Sequence, residues 1–130
     1  MESIRRTVGS ASPLEPLIGF SRAVRAGHHV AVAGTAPIGD DGSTVGPGDV
    51  YARTVRCPDI AVRALEAAGA AVSDVTRTRL MLTDVTRWEE AARAHGERFA
   101  AVRPALTVVE VSRFIDPDRL VEVEVDAVIA

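Results

Sequence analysis

Between Val75 and Thr83 the chain alternates. Arg77, Arg79 and Met81 fall on one face, and Thr78, Leu80 and Leu82 on the other. A period of two sends successive side chains to opposite sides of a strand, so the spacing predicts a strand over 75–83. The same alternation recurs near the end of the chain, where Val121, Val123 and Val125 interleave with Glu122, Glu124 and Asp126. Strands are predicted there over 120–128 and, before an Asp/Pro-containing connector, over 105–112. Residues 3–8 read as a first strand, and 20–26 with 29–35 as a hairpin turning near Gly27 and His28. After His29 the second arm of that hairpin is nearly all apolar, as in a strand covered on both faces.

Two segments carry a helical period instead. Tyr51, Val55, Val62 and Leu65 recur at helical spacing over 49–68, and Gly69 supplies a stop. Pro58 lies inside this run, which predicts a kink near 54–58 or two shorter helices. Thr86-Arg87-Trp88-Glu89 has the spacing of a capping box and opens a second helix to about residue 100. Its apolar stripe is Trp88, Ala91, Ala92, His95 and Phe99. Residues 9–19 and 37–48 are rich in Gly, Pro and Ser and read as loops. The order is βββαβαββ, an α+β arrangement with a mixed sheet and two helices packed on one face, in a single domain spanning 1–130.

Composition narrows the chemistry. The chain has 130 residues, 47% of them hydrophobic, enough for a real core. All 15 basic residues are arginine, and there is no lysine, asparagine or glutamine. Schiff-base catalysis through lysine and a lysine-bearing phosphate loop are therefore excluded, and the usual amide reader of adenine is absent. A net charge of −3, scattered arginines and five dispersed aromatics (Phe20, Tyr51, Trp88, Phe99, Phe114) speak against a nucleic-acid surface. No run of about 18 apolar residues exists to cross a membrane, and no apolar segment follows the two early arginines as a secretory signal would require. Cys57 is the only cysteine, so it has no partner within the chain, in keeping with a reducing cytoplasm. His28 and His29 have no cysteine or carboxylate at ligand spacing, and no metal is expected.

Several segments, in order and spacing, resemble the Rid family (reactive intermediate deaminases, or YjgF-like proteins). Gly19-Phe20-Ser21-Arg22-Ala23-Val24 is similar to the family's Pro-Tyr-Ser-Gln-Ala-Val, and Val32-Ala33-Gly34-Thr35-Ala36-Pro37 to its Ser-Gly-Gln-Ile-Pro. Ala67-Ala68-Gly69, Leu82-Thr83-Asp84, Arg103-Pro104-Ala105-Leu106 and Val121-Glu122-Val123-Glu124 extend the likeness to the C-terminus. The resemblance implies a chorismate-mutase-like (YjgF-like) fold, a homotrimer with ligand clefts between subunits, a small-molecule ligand and no cofactor.

Site residues carry over unevenly. Glu122 matches the cleft glutamate that positions or protonates substrate through water, and Gly34 the glycine whose backbone faces the ligand. Phe20 stands where the family often has tyrosine, and Ala92 where some members have asparagine. Leu106 takes the place of the arginine that, in active members, grips the substrate carboxylate. An arginine fork holds a carboxylate bidentately, whereas leucine offers no donor and leaves a buried carboxylate unpaired. The resemblance with this substitution predicts a cleft that disfavours 2-imino acids and accepts neutral or cationic ligands, with Glu122 as acid/base at a raised pKa in the absence of a nearby arginine. Arg103 or Arg113 replacing the lost guanidinium, in an active imine deaminase, is one alternative. A binding or regulatory protein without catalysis is another.

The remaining polar residues have plainer readings. Arg77 and Arg79 share a period with Glu122, Glu124 and Asp126, and at least one ion pair is expected between the two rows. His95 reads as a packed histidine and Cys57 as a small core residue.

Overall fold

The computed structural model describes residues 4–130. Six strands, β1 (Arg5–Val8), β2 (Ala23–Ala26), β3 (His29–Thr35), β4 (Val75–Leu82), β5 (Ala105–Glu110) and β6 (Val121–Val128), form one sheet with two helices, α1 (Val50–Ala67) and α2 (Trp88–Phe99). The chain order is the α+β succession that the periodicities predict. Residues 1–3 lie outside the described part, so only the Arg5–Val8 portion of the predicted first strand is seen.

The spatial order is β1-β2-β3-β6-β4-β5. β1, β2 and β3 run as an antiparallel meander. The chain then crosses through α1 to β4, and through α2 to β5, which lies parallel to β4 at the edge. β6 returns between β3 and β4, antiparallel to both. The short connector after β5 therefore does not make a hairpin.

Both helices cover one face. Val30, Val32, Leu80, Leu82, Val121, Val123, Val125 and Ala127 point into a core shared with Cys57, Ala61, Val62, Leu65, Ala91 and Phe99. Burying each large apolar side chain is worth about 1.5–3 kcal/mol. A one-residue slip of β6 would bring three carboxylates inside, so this face fixes its register. The other face presents Ala31, Arg77, Arg79, Met81, Glu122, Glu124 and Asp126. Ala31 is exposed within the chain, so β3 is covered on one side only.

α1 is a single helix, not two. Asp49 caps it, accepting from the Ala52 amide at 3.0 Å. Pro58 removes only its own amide bond, while the buried positions around it keep the helix seated on the sheet. The buried face is Val50, Thr54, Cys57, Ala61, Val62 and Leu65; Val55, assigned inward from its spacing, is exposed. Past its end, Gly69 takes φ +94°, and the guanidiniums of Arg6 and Arg25 bond the carbonyls of Ala67 and Ala68.

α2 begins differently from the sequence reading. Asp84, not Thr86, is the capping acceptor: its carboxylate receives the Thr86 amide at 3.1 Å and opens a 3-10 turn (Val85–Arg87) ahead of α2. A carboxylate two residues before the turn's center outcompetes the threonine, whose hydroxyl itself donates to Asp84. The buried stripe is Ala91, Ala94, His95 and Phe99; Trp88 is half exposed and Ala92 half-buried.

Candidate functional site

The site begins at an irregularity. The pairing of β3 with β6 shifts register between Val32 and Thr35, which puts Gly34 in a bulge. A Cβ on Gly34 would lie 2.9 Å from Glu122 Oε1 and 3.9 Å from Met81 Cε. The glycine is what lets the glutamate carboxylate come up against the backbone of β3. Met81 is the register partner of Glu122 across β4.

Arg22 closes the other side of the bulge. Its Nη1 donates to the Gly34 carbonyl at 2.7 Å and to Thr35 Oγ1 at 3.3 Å, and its guanidinium lies 5.6 Å from the center of the Phe20 ring. Phe20, Gly34 and Glu122 are thus linked through Arg22. Burial pushes the Glu122 carboxyl above its usual 4.5, with Glu124 adding to the rise, while Arg119 and Arg22 pull against it. The raised value agrees with the sequence reading. The absence of a neighboring arginine does not, since two lie close enough to act on the carboxylate.

The other candidate residues stand elsewhere. Leu106 pairs with Thr78 and Val108 with Leu80, so Leu106 lies on the helix-covered face of the sheet, opposite to Glu122. It is 42% exposed at the start of the edge strand. Ala92 is on α2, on that same side. Arg103 is exposed at φ 56°, where its amide donates to the Phe99 carbonyl at 2.8 Å and ends α2; Arg113 is exposed in the segment after β5. One chain therefore assembles Phe20, Gly34 and Glu122 but not Leu106, Ala92 or Arg103 with them.

The two rows of charge meet as expected at one point: Arg79 Nη1 is 3.0 Å from Glu124 Oε2. Arg77 faces Asp126 in register. His95 is buried, with Nε2 2.7 Å from Thr78 Oγ1 and its ring 4.8 Å from that of Phe99, and burial lowers its pKa. Cys57 is fully buried, and its thiol is pushed far up by desolvation. Among the described residues no group of three or more His, Cys, Asp or Glu is arranged to hold a metal, and no helix is long and apolar enough to cross a membrane.

Sequence reasoning missed Arg22, Met81 and Arg119 as neighbors of the site. For Arg22 the signal was present: it stands two residues after Phe20, on the same side of an extended segment. Arg119 has no comparable cue, because a 3-10 turn (Pro117–Arg119) and a left-handed Leu120 (φ 53°) set its position.

A family model described as Endoribonuclease L-PSP matches residues 10–129. The chain belongs to this family, the YjgF/Rid group. An uncharacterized protein from Streptomyces coelicolor is 43% identical over 97% of this chain and 92% of its own length. A RutC family protein from Pyrococcus abyssi is 32% identical, over 85% of this chain and 86% of that one. The crystal structure of a YjgF/YER057c/UK114 family member from Mycobacterium tuberculosis superposes with a TM-score of 0.87 at 41% identity, covering 97% of this chain and all of that one. The L-PSP fold is thereby established for this chain.

Proposed function

We propose that this L-PSP protein is a homotrimer that binds a small molecule in clefts between subunits, and that Glu122 is the acid/base of each cleft. The site lacks the carboxylate anchor of classical 2-imino acid deaminases, so its ligand is uncharged where that anchor would act. If the bound ligand is turned over, the chemistry is hydrolytic, of the imine or enamine deaminase kind. The observation that carries the reading is the half-buried carboxyl of Glu122 held against Gly34, with its pKa raised, while leucine occupies position 106. A carboxyl whose pKa burial has raised is a better proton donor to a leaving nitrogen than a solvated one.

Leu106 and Glu122 share a cleft only if they come from different chains, because within one chain the sheet separates them. A closed three-fold ring would supply the second chain and cover the open sheet face. Light scattering at micromolar concentration should give the mass of three chains, and a monomer mass would sink the shared cleft. Decay of 2-aminoacrylate should be no faster with the protein than without it.

A second reading has one observation in its favor. Arg22 and Arg119 act on Glu122, and either is better placed to anchor a carboxylate than Arg103 or Arg113. An efficient acceleration of imine decay that Arg22→Ala abolishes would favor this relocated-arginine deaminase.

A further inference from the structure

A groove of about 740 Å³ runs along the chain between α1, the end of β3 and the segments around 9–13 and 36–42. Four arginines line it, Arg22, Arg56, Arg63 and Arg119, against a single carboxylate, Asp40. In a chain of net charge −3 the lining of this groove is mostly positive, although Asp116 ion-pairs Arg119 and Glu122 lies near Arg22 and Arg119. A concave wall of one sign focuses the field and raises the local concentration of counter-ions.

The donors are only partly used. Arg56 is steered by the Ile38 carbonyl at 2.8 Å and by Asp40 at 3.2 Å, but the Asp40 side chain is 94% exposed and neutralizes little. Arg22 spends Nη1 on Gly34 and Thr35. Arg63 has no hydrogen bond or ion pair among the described residues. Arg119 buries an Nε–H without a hydrogen-bond partner among them; Asp116 Oδ2, at 3.7 Å, is too far to accept it.

We infer that this groove is a binding site for a small molecule bearing a multiply charged oxyanion group, a phosphate ester or a polycarboxylate. The guanidinium fork matches both oxyanions bidentately. The groove has the volume of a small-molecule site. It contains no aromatic ring, so bases of a nucleic acid find nothing to stack on. The groove shares Arg22, Gly34 and Arg119 with the surroundings of Glu122, while Arg56 and Arg63 on α1 belong to the groove alone; anion binding there uses no proton of Glu122 and stands if the acid/base role fails.

Titration calorimetry of the intact protein at fixed ionic strength tests it, with pyrophosphate and citrate as probes and glycerol as the neutral control. At least one anion should bind saturably and glycerol should not; whichever anion binds more tightly identifies phosphate or carboxylate as the preferred group. Arg63→Ala and Arg119→Ala should each weaken the better anion about tenfold, the loss of one charged hydrogen-bonding partner. Arg113→Ala, with the same charge change at an exposed position away from the groove, should leave binding unchanged. Arg63 is exposed on a helix, where alanine is well tolerated, so that variant folds. Absence of saturable binding, an equal loss in Arg113→Ala, or tighter binding of a single-stranded oligoribonucleotide than of either anion would overturn the assignment.

Discussion

Gly34 and Glu122 approach so closely that one added methyl group on the glycine would lie 2.9 Å from the glutamate Oε1. The contact is with the end of a flexible side chain, so the fold can absorb it by moving the carboxylate. Gly34→Ala should therefore leave the protein folded, within about 1 kcal/mol of wild type. Any turnover or ligand binding that uses Glu122 should fall at least about tenfold, since displacement of a catalytic group by a fraction of an ångström is enough. Thermal melts alongside ligand titration check this. A variant that binds and reacts as wild type would separate Gly34 from the site.

The raised pKa of Glu122 sets a sign for stability against pH. The folded protein holds this proton more tightly than the unfolded chain, whose carboxyl titrates near 4.5. The contribution is fully present below 4.5 and is lost as pH rises through the folded pKa. Glu122→Gln stays neutral throughout, so the stability gap between variant and wild type should widen in the variant's favor across that window. Urea melts from pH 4 to 7.5 measure it. A gap that closes with rising pH would mean that the carboxylate is better solvated than its burial implies.

His95 has the opposite sign. Burial holds its folded pKa below 6.5, so its contribution is present above 6.5 and is lost as pH falls through the folded value. His28 and His29 are exposed, which leaves His95 as the buried histidine. His95→Gln keeps a polar partner for Thr78 but does not titrate there, and it should flatten the acid-side slope below pH 6.5. His95→Ala should cost about 2 kcal/mol at neutral pH through the lost hydrogen bond and packing. An unchanged slope in His95→Gln would place the titration elsewhere.

Alternation made the sheet legible. Val121, Val123 and Val125 against Glu122, Glu124 and Asp126 is a pattern that only one register satisfies, and Arg79 meeting Glu124 follows from two strands obeying the same period. Pro58 does not divide α1 into two helices, because the tertiary contacts that bury α1 outweigh its local cost. Thr86 misled because the nearby carboxylate of Asp84 makes the stronger cap. The likeness to the Rid family identified Glu122, Gly34 and Phe20 as neighbors. It gave no warning that Leu106 lies across the sheet from Glu122, because the face on which a side chain emerges depends on pairing with β4. Nor did it place Arg22 and Arg119 beside the acid, since their approach rests on a bulge and a left-handed residue that carry no periodic signal.

We propose that Glu122 is the acid of this site and that position 106 is where a carboxylate anchor is lacking, and Leu106→Arg tests both together. An arginine there would supply the bidentate anchor, and in the proposed trimer it would stand near Glu122 of a neighboring chain and lower that acid's pKa. Binding should recover more than turnover. Titration of wild type and variant with pyruvate at fixed ionic strength is the measurement; the arginine-lined groove is common to both proteins, so the difference between them reports on position 106. A trimeric Leu106→Arg protein should bind pyruvate at least about tenfold more tightly than wild type. Equal affinity in the two proteins, with the trimer intact, would contradict it.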